Sequence, residues 1–267
     1  MADYNKIIED FKKKTGYILE VKDDRLYYGD YINLNHTGIT ELPDNLTIKG
    51  HLDLSGCKNF TKLPEKLIVD DYINLEYSGI TELPYGFTAK GSLLLHGCKN
   101  IAKLPDKLKV KGNLDISSTS VTEIPKGLFV RGSLWISDTQ IASLPDGLTV
   151  HGQLSLKNCK KLTTLPKGLK VGEDLLLSNC TNLTAIPEGL KVGGSLHING
   201  CRKIKSLPKG LFIPDVLDIE DTRIKRLPDD LKVGWSIECT GVIDPMEVFK
   251  HYCNEEAKKE VVDTVFE

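Results

Sequence analysis

Seven cysteines are the first side chains in this 267-residue sequence whose chemistry needs an account. Cys159, Cys180 and Cys201 follow one another at a constant interval. If that interval is one turn of a regular coil, their Cα atoms lie ~5 Å apart, close enough for a disulfide by distance alone. Side chains stacked in one direction meet the disulfide dihedral poorly, and a straight ladder of thiols does not give the tetrahedral set that a zinc site needs. Buried thiols are therefore expected. His251 and Cys253 are near in sequence, but without a third group to orient the imidazole they make a poor nucleophile. The sequence shows no nucleotide-binding loop, metal motif or catalytic-triad spacing. An enzyme is not expected, nor a bound cofactor or metal.

Composition narrows the classes further. The formal net charge is -2 and the pI near 6.3, which gives no sign of a strongly basic nucleic-acid binder. Apolar residues make up 40%, enough for a core. No apolar run approaches the ~18 residues of a membrane-spanning helix, so membrane insertion is not expected. The opening segment, MADYNKIIEDFKKKTG, has no apolar h-region of a secretory signal. A cytoplasmic, monomeric protein is expected, with signal-independent export into a host cell left open.

The cysteines belong to a larger pattern. Pro43, Pro64, Pro84, Pro105, Pro125, Pro145, Pro166, Pro187, Pro208 and Pro228 each follow an apolar residue and recur at a nearly constant interval. A fixed period of about 20 residues predicts a solenoid, in which each coil buries its apolar face against its neighbours. The proline column, with glycine two positions later at Gly86, Gly127 and Gly147, predicts a β-turn. Leu-x-Val pairs such as Leu108 and Val110 predict a short extended segment. A second glycine column, Gly50, Gly91, Gly112, Gly132, Gly152 and Gly194, with aspartate at Asp30, Asp71 and Asp215, predicts a recurring left-handed turn. Then comes x-Leu-x-Leu/Ile-x, as in Asn113–Ser117, read as the main parallel strand. Just beyond its second apolar position is a small corner residue: Thr37, Cys57, Ser78, Cys98, Thr119, Thr139, Cys159, Cys180, Cys201 or Thr222. Between successive prolines, the coils with cysteine at the corner carry one more residue than those with serine or threonine. Two interchangeable corner geometries explain the difference. A coil this short leaves no room for a convex helix, so the second wall is expected to be extended.

These columns resemble the leucine-rich repeats of bacterial proteins. The resemblance is to the short type with LP at the repeat junction, as in the leucine-rich domains of type III-secreted effectors. It covers about Leu26–Ile243 and implies a β-rich repeat solenoid of about eleven coils. Two departures stand out: Cys or Thr replaces the usual corner Asn, and the path from the first leucine to the strand is longer. Some of those effectors carry a separate ubiquitin-ligase domain, which is not expected in a chain of this length. On this reading residues 1–25 form an N-terminal helical cap, 26–243 the solenoid and 244–267 a C-terminal helical cap. In the first cap, Tyr4, Ile7, Ile8 and Phe11 share a helical face and Gly16 is placed to end it.

Columns that do not repeat are where specificity belongs. The outward strand positions vary, and their first half is rich in aromatic, histidine and apolar residues: Tyr31, His51, Tyr72, Leu94 and His96, with Asp115 and Trp135 further on. Exposed aromatics suit binding hot spots, so the expected function is a scaffold that binds a partner protein through this concave face. The alternative is an anionic-surface or nucleic-acid contact. It would use a lateral ridge of Lys58, Lys99, Lys160, Lys161, Arg202, Lys203 and Arg223, because such a ridge can meet phosphates.

Overall fold

The computed structural model describes residues 4–240 and residue 243. The helix expected within 244–267 lies outside the described residues. The helix α1 (Tyr4–Thr15) buries Phe11 and half-buries Tyr4, Ile7 and Ile8, as its apolar spacing requires. It ends at Gly16, whose φ is +82° and whose N–H donates to the Lys12 carbonyl at 2.7 Å. That is a left-handed C-terminal cap. Strands β1 (Glu20–Lys22) and β2 (Arg25–Tyr28) then form an antiparallel hairpin. Its turn residues Asp23 and Asp24 have φ of 52° and 55°, as a type I′ turn prescribes. The hairpin is not evident from the sequence, because Asp-Asp lacks the glycine that usually marks such turns.

The chain divides into two compact units: Met1–Ser120 with Pro125–Val130, and Val121–Ile124 with Arg131–Glu267. The first unit holds five inner strands, Ile32–Asn33, Leu52–Asp53, Ile73–Asn74, Leu93–Leu94 and Leu114–Asp115, paired in parallel and in register. Among the described residues the second holds six, Leu134–Trp135, Leu154–Ser155, Leu175–Leu176, Leu196–His197, Val216–Asp218 and Ser236–Glu238. Each unit is therefore a parallel β-solenoid with one inner strand per coil. The Leu-x-Val pairs form the expected extended second wall. In the first unit β2, Leu46–Ile48 and Ile68–Val69 pair as one sheet, and Thr88–Ala89, Lys109–Val110 and Phe129–Val130 as another.

Between the two walls lies the core. Both inward positions of a coil, such as Leu154 and Leu156 or Leu93 and Leu95, are fully buried, as are second-wall residues such as Val110 and Val150. Each such side chain contributes about 1.5–3 kcal/mol relative to exposure. The leucine or isoleucine before each repeat proline is also buried, with Leu144 and Leu165 each 7% exposed.

The two glycine columns have different jobs from those their composition suggests. The one after the proline is left-handed: Gly86 has φ +65°, and Phe87 N–H donates to the Pro84 carbonyl at 3.1 Å. Positive φ at the third residue is what a type II turn needs. Asn45 and Lys107 take the same conformation in this column. The second column was expected to be left-handed, but Gly50, Gly91, Gly112, Gly152 and Gly194 are not at positive φ, and neither are Asp30, Asp71 and Asp215. Glycine is needed there for closeness of approach. A Cβ on Gly112 would lie 2.6 Å from the Ser92 backbone nitrogen, and one on Gly50 would lie 2.8 Å from that of Tyr31. The left-handed position on the strand side is instead the residue just before each corner, from His36 (54°) to Asp221 (54°), filled by His, Gly, Tyr, Ser, Asp or Asn.

The first inner strand has an edge, and Tyr17 closes it. The Asn33 N–H donates to the Tyr17 hydroxyl at 2.9 Å, and that hydroxyl donates to the Asn33 carbonyl at 3.1 Å. One phenol thus satisfies both groups that a neighbouring strand would otherwise pair.

The glycine assignments are directly testable by urea unfolding. Gly112→Ala is expected to destabilise by about 2–3 kcal/mol, because the neighbouring coil's backbone must move. Gly147→Asn is expected to stay within about 1 kcal/mol, because a Cβ there would meet nothing within 4 Å and asparagine tolerates positive φ. Equal costs at the two positions would contradict the assignment.

Candidate functional site

The cysteine column is structural. Cys57, Cys98, Cys159, Cys180 and Cys201 are all buried, and none is in a disulfide. Each thiol donates to a strand carbonyl of the preceding coil: Cys57 to Leu34 at 3.0 Å, Cys98 to Leu75 at 2.9 Å and Cys159 to Ile136 at 3.3 Å. Cys180 and Cys201 donate to Leu156 and Leu177, both at 3.1 Å. Threonine solves the same corner differently. Thr37, Thr119, Thr139 and Thr222 donate to the carbonyl three positions back in their own coil at 2.7–2.8 Å. The extra residue of a cysteine coil closes a further turn, in which the Cys carbonyl accepts from the N–H three positions on, as in Phe60 to Cys57 and Leu162 to Cys159. Burial pushes the Cys98 and Cys159 thiols up from their ordinary pKa. Cys180 is also pushed up, by its hydrogen bond with the Cys201 thiol and then by burial. Among the described residues no group of three or more His, Cys, Asp or Glu side chains is placed to hold a metal ion.

The strand face of the first unit carries the aromatic candidates, and the structure brings three of them together. Tyr31, His51 and Tyr72 each precede an inner strand. Their rings stack with centroids 4.8 and 4.6 Å apart, and both pairs of planes are inclined by 6°. The cause is the sheet, whose parallel strands are spaced ~4.8 Å apart. Side chains in one column are thereby held at the distance of ring stacking. Tyr31, at the end of the ladder, is 47% exposed. His51 and Tyr72 are half-buried. Burial, then the charges of Asp53 and Asp71, raises the Tyr72 phenol above its ordinary pKa.

The next column is less free than its variability suggests. Asn33, Asp53, Asn74 and Asp115 each accept, through Oδ1, the backbone N–H two positions on, at 2.8–3.0 Å. Asp115 therefore has a turn-closing job, as does Asp218 toward Glu220 in the second unit. Leu94, in the same column, is half-buried. His96 lies one column further and meets the edge of Tyr77, with centroids 5.2 Å apart and planes at 77°. Tyr77 was not singled out from the sequence. It takes a left-handed φ of 55°, is 51% exposed, and lies against Gly97, where any Cβ would strike its ring. The signal that could have found it is the alternation His36, Gly56, Tyr77, Gly97, in which a ring on one coil is followed by glycine on the next.

Trp135 belongs to the second unit, where it is half-buried. Its Nε1 donates to Gln153 Oε1 at 3.2 Å, Gln153 Nε2 donates to Asp174 Oδ2 at 3.2 Å, and Asp174 Oδ1 accepts the Ser195 N–H at 2.8 Å. This face is a connected polar relay and not an aromatic ladder. The basic ridge residues Lys58, Lys99, Lys160, Lys161, Arg202, Lys203 and Arg223 are all exposed. Two of them are already engaged: Lys99 donates to the Ser118 carbonyl and Lys203 to Asn182 Oδ1, at 2.5 and 2.6 Å.

No protein-family model matches the chain, and neither does any curated protein. Among solved structures it is similar to the leucine-rich repeat domain of the type III effector XopL, with 16% identity and a TM-score of 0.45. That match covers 84% of this chain and 75% of the other. YopM from Yersinia enterocolitica matches at 18% identity and a TM-score of 0.26, over 78% of this chain and 65% of that one.

Burial of the corner column predicts its reactivity. Iodoacetamide on the native protein at pH 8 is expected to leave Cys57, Cys98, Cys159, Cys180 and Cys201 unmodified while half-buried Cys239 reacts, as read by peptide mass spectrometry. Alkylation of the corner thiols without unfolding would refute their structural role.

Proposed function

We propose that the chain is a non-enzymatic scaffold that binds a partner protein through the strand face of its first unit, from Tyr31 to Asp115. The observation that carries this reading is the Tyr31–His51–Tyr72 ladder on the strand face, where Tyr31 is 47% exposed. A solenoid has no packing use for three stacked rings on its solvent side, since its core columns are filled by leucine and isoleucine. The rings hold one another in place, so little side-chain entropy is lost when they meet a partner. Tyrosine is also among the side chains that most often dominate binding energy. Tyr77 and His96 extend the surface beside the ladder. Trp135 is left out, because its indole N–H is already committed to Gln153.

The test uses a displayed library of random dodecapeptides panned against the protein. Peptides enriched on the native chain are expected to bind Tyr31→Ala/Tyr72→Ala at least tenfold more weakly. The thermal midpoint should be little changed, because neither side chain belongs to the core. No enrichment at all, or binding unaffected by the double substitution, would sink the reading.

A further inference from the structure

The strand face of the first unit also carries a charge pattern. Its five strands with their flanking turns are residues 30–36, 50–56, 71–77, 91–97 and 112–118. They contain five carboxylates (Asp30, Asp53, Asp71, Glu76 and Asp115) and no lysine or arginine, although 35 of the chain's 267 residues are basic. The opposite wall of the same unit is lined by Arg25, Lys49, Lys66, Lys90, Lys109 and Lys111. Its Asp70 is held by Lys49 at 2.7 Å and Lys90 at 2.6 Å, and these hydrogen bonds, Lys49 first, keep its carboxyl below the usual carboxylate range. Charge is thus segregated across one thin unit: basic on the second wall, acidic and aromatic on the strand face.

From this we infer that the occupant of the strand face is an extended, arginine-bearing basic segment of the partner protein. The inference rests on that face being the binding surface. The carboxylates lie on both sides of the Tyr31–His51–Tyr72 ladder, so a cation that pairs with them is brought against a ring. Arginine suits both demands, because its planar guanidinium stacks on tyrosine while its fork of donors pairs a carboxylate. Lysine can pair the carboxylate and sit over a ring, but it lacks the planar fork that does both at once. Asp53 and Asp115 each have one oxygen tied to a backbone N–H, and neither carboxylate is bonded to a basic side chain among the described residues. The raised Tyr72 phenol has Asp53 and Asp71 among its causes, in agreement with a negative local potential. Geometry sets the length. Five parallel strands span ~19 Å, about six residues of extended chain laid across them.

Three fluorescein-labelled dodecapeptides test this by fluorescence anisotropy: serine alternating with arginine, with lysine, or with glutamate. The arginine peptide is expected to bind at least threefold more tightly than the lysine peptide, with no measurable binding of the glutamate peptide. Asp53→Asn/Asp71→Asn should weaken the arginine peptide at least fivefold. Asparagine already serves at Asn33 and Asn74 in the Asp53 column, so the turn-closing bond is kept. Glu76→Gln provides a second, independent reading should the pair prove unstable. Tyr31→Ala/Tyr72→Ala should abolish the preference for arginine over lysine. Equal binding of the arginine and glutamate peptides, or arginine-peptide binding unchanged by loss of the carboxylates, overturns the inference. If that happens while peptides from the random library still depend on Tyr31 and Tyr72, only the partner's charge is wrong. If that dependence is lost as well, the surface itself is wrong.

Discussion

Everything in this molecule follows from the spacing of parallel strands. At ~4.8 Å per coil, each side chain meets the residue in the same column of the next coil. A column therefore works only if its residues tolerate a copy or a complement at that distance. Leucine and isoleucine do, and their stacks fill the space between the walls. Glycine does where even a Cβ would meet backbone, as at Gly112 against Ser92. Planar rings do as well, which is why Tyr31, His51 and Tyr72 stack. Like charges repel at that distance; the second unit carries such pairs at Lys170–Lys191 and Asp218–Glu238, whereas two aspartates of the first unit have neutral or opposite neighbours. Asp53 has Asn33 and Asn74 as its column neighbours, and Asp70 has Lys49 and Lys90.

The same constraint explains how two corner chemistries coexist. A buried corner must satisfy the carbonyls that the turning backbone leaves behind. Threonine bonds back within its own coil, and the coil stays at its shorter length. Cysteine reaches the preceding coil, and the added residue closes a turn on the cysteine carbonyl. Both leave a small, hydrogen-bonded side chain, so coils of either kind can follow one another, as at Thr139 and Cys159, whose Oγ1 and Sγ lie 3.4 Å apart. Sulfur here is a compact packing group with a weak donor.

Recognition has to be built from what the pitch leaves over. In the first unit the column of Asn33, Asp53, Asn74 and Asp115 closes turns, so its variation is partly a choice among side chains that can accept a backbone N–H. In the second unit Trp135, Gln153, Asp174 and Ser195 spend their polar groups on one another. Solvent-facing columns are therefore not uniformly available. What remains is the ring ladder with its neighbours Tyr77 and His96, on a face from which basic residues are missing. That combination is the basis for proposing the first unit as the binding surface.

The sequence by itself determined the repeat, the inward leucines, the proline turn, the extended second wall, the first helix and the two corner lengths. Each is a local period or a local turn requirement, and a period survives without any knowledge of which coil touches which. It also picked out Tyr31, His51 and Tyr72 as departures from the repeat. Only the tertiary structure decided that the second glycine column serves close approach rather than positive φ, since the clash involves atoms a whole coil away along the chain. The same holds for the Tyr17 hydroxyl closing the edge at Asn33, for Tyr77 lying over Gly97, and for Trp135 being bound to Gln153. The reason is common to all four: the deciding neighbour is one coil away in space, or belongs to the irregular N-terminal segment. A one-dimensional pattern records which residues recur but not what stands opposite those that do not.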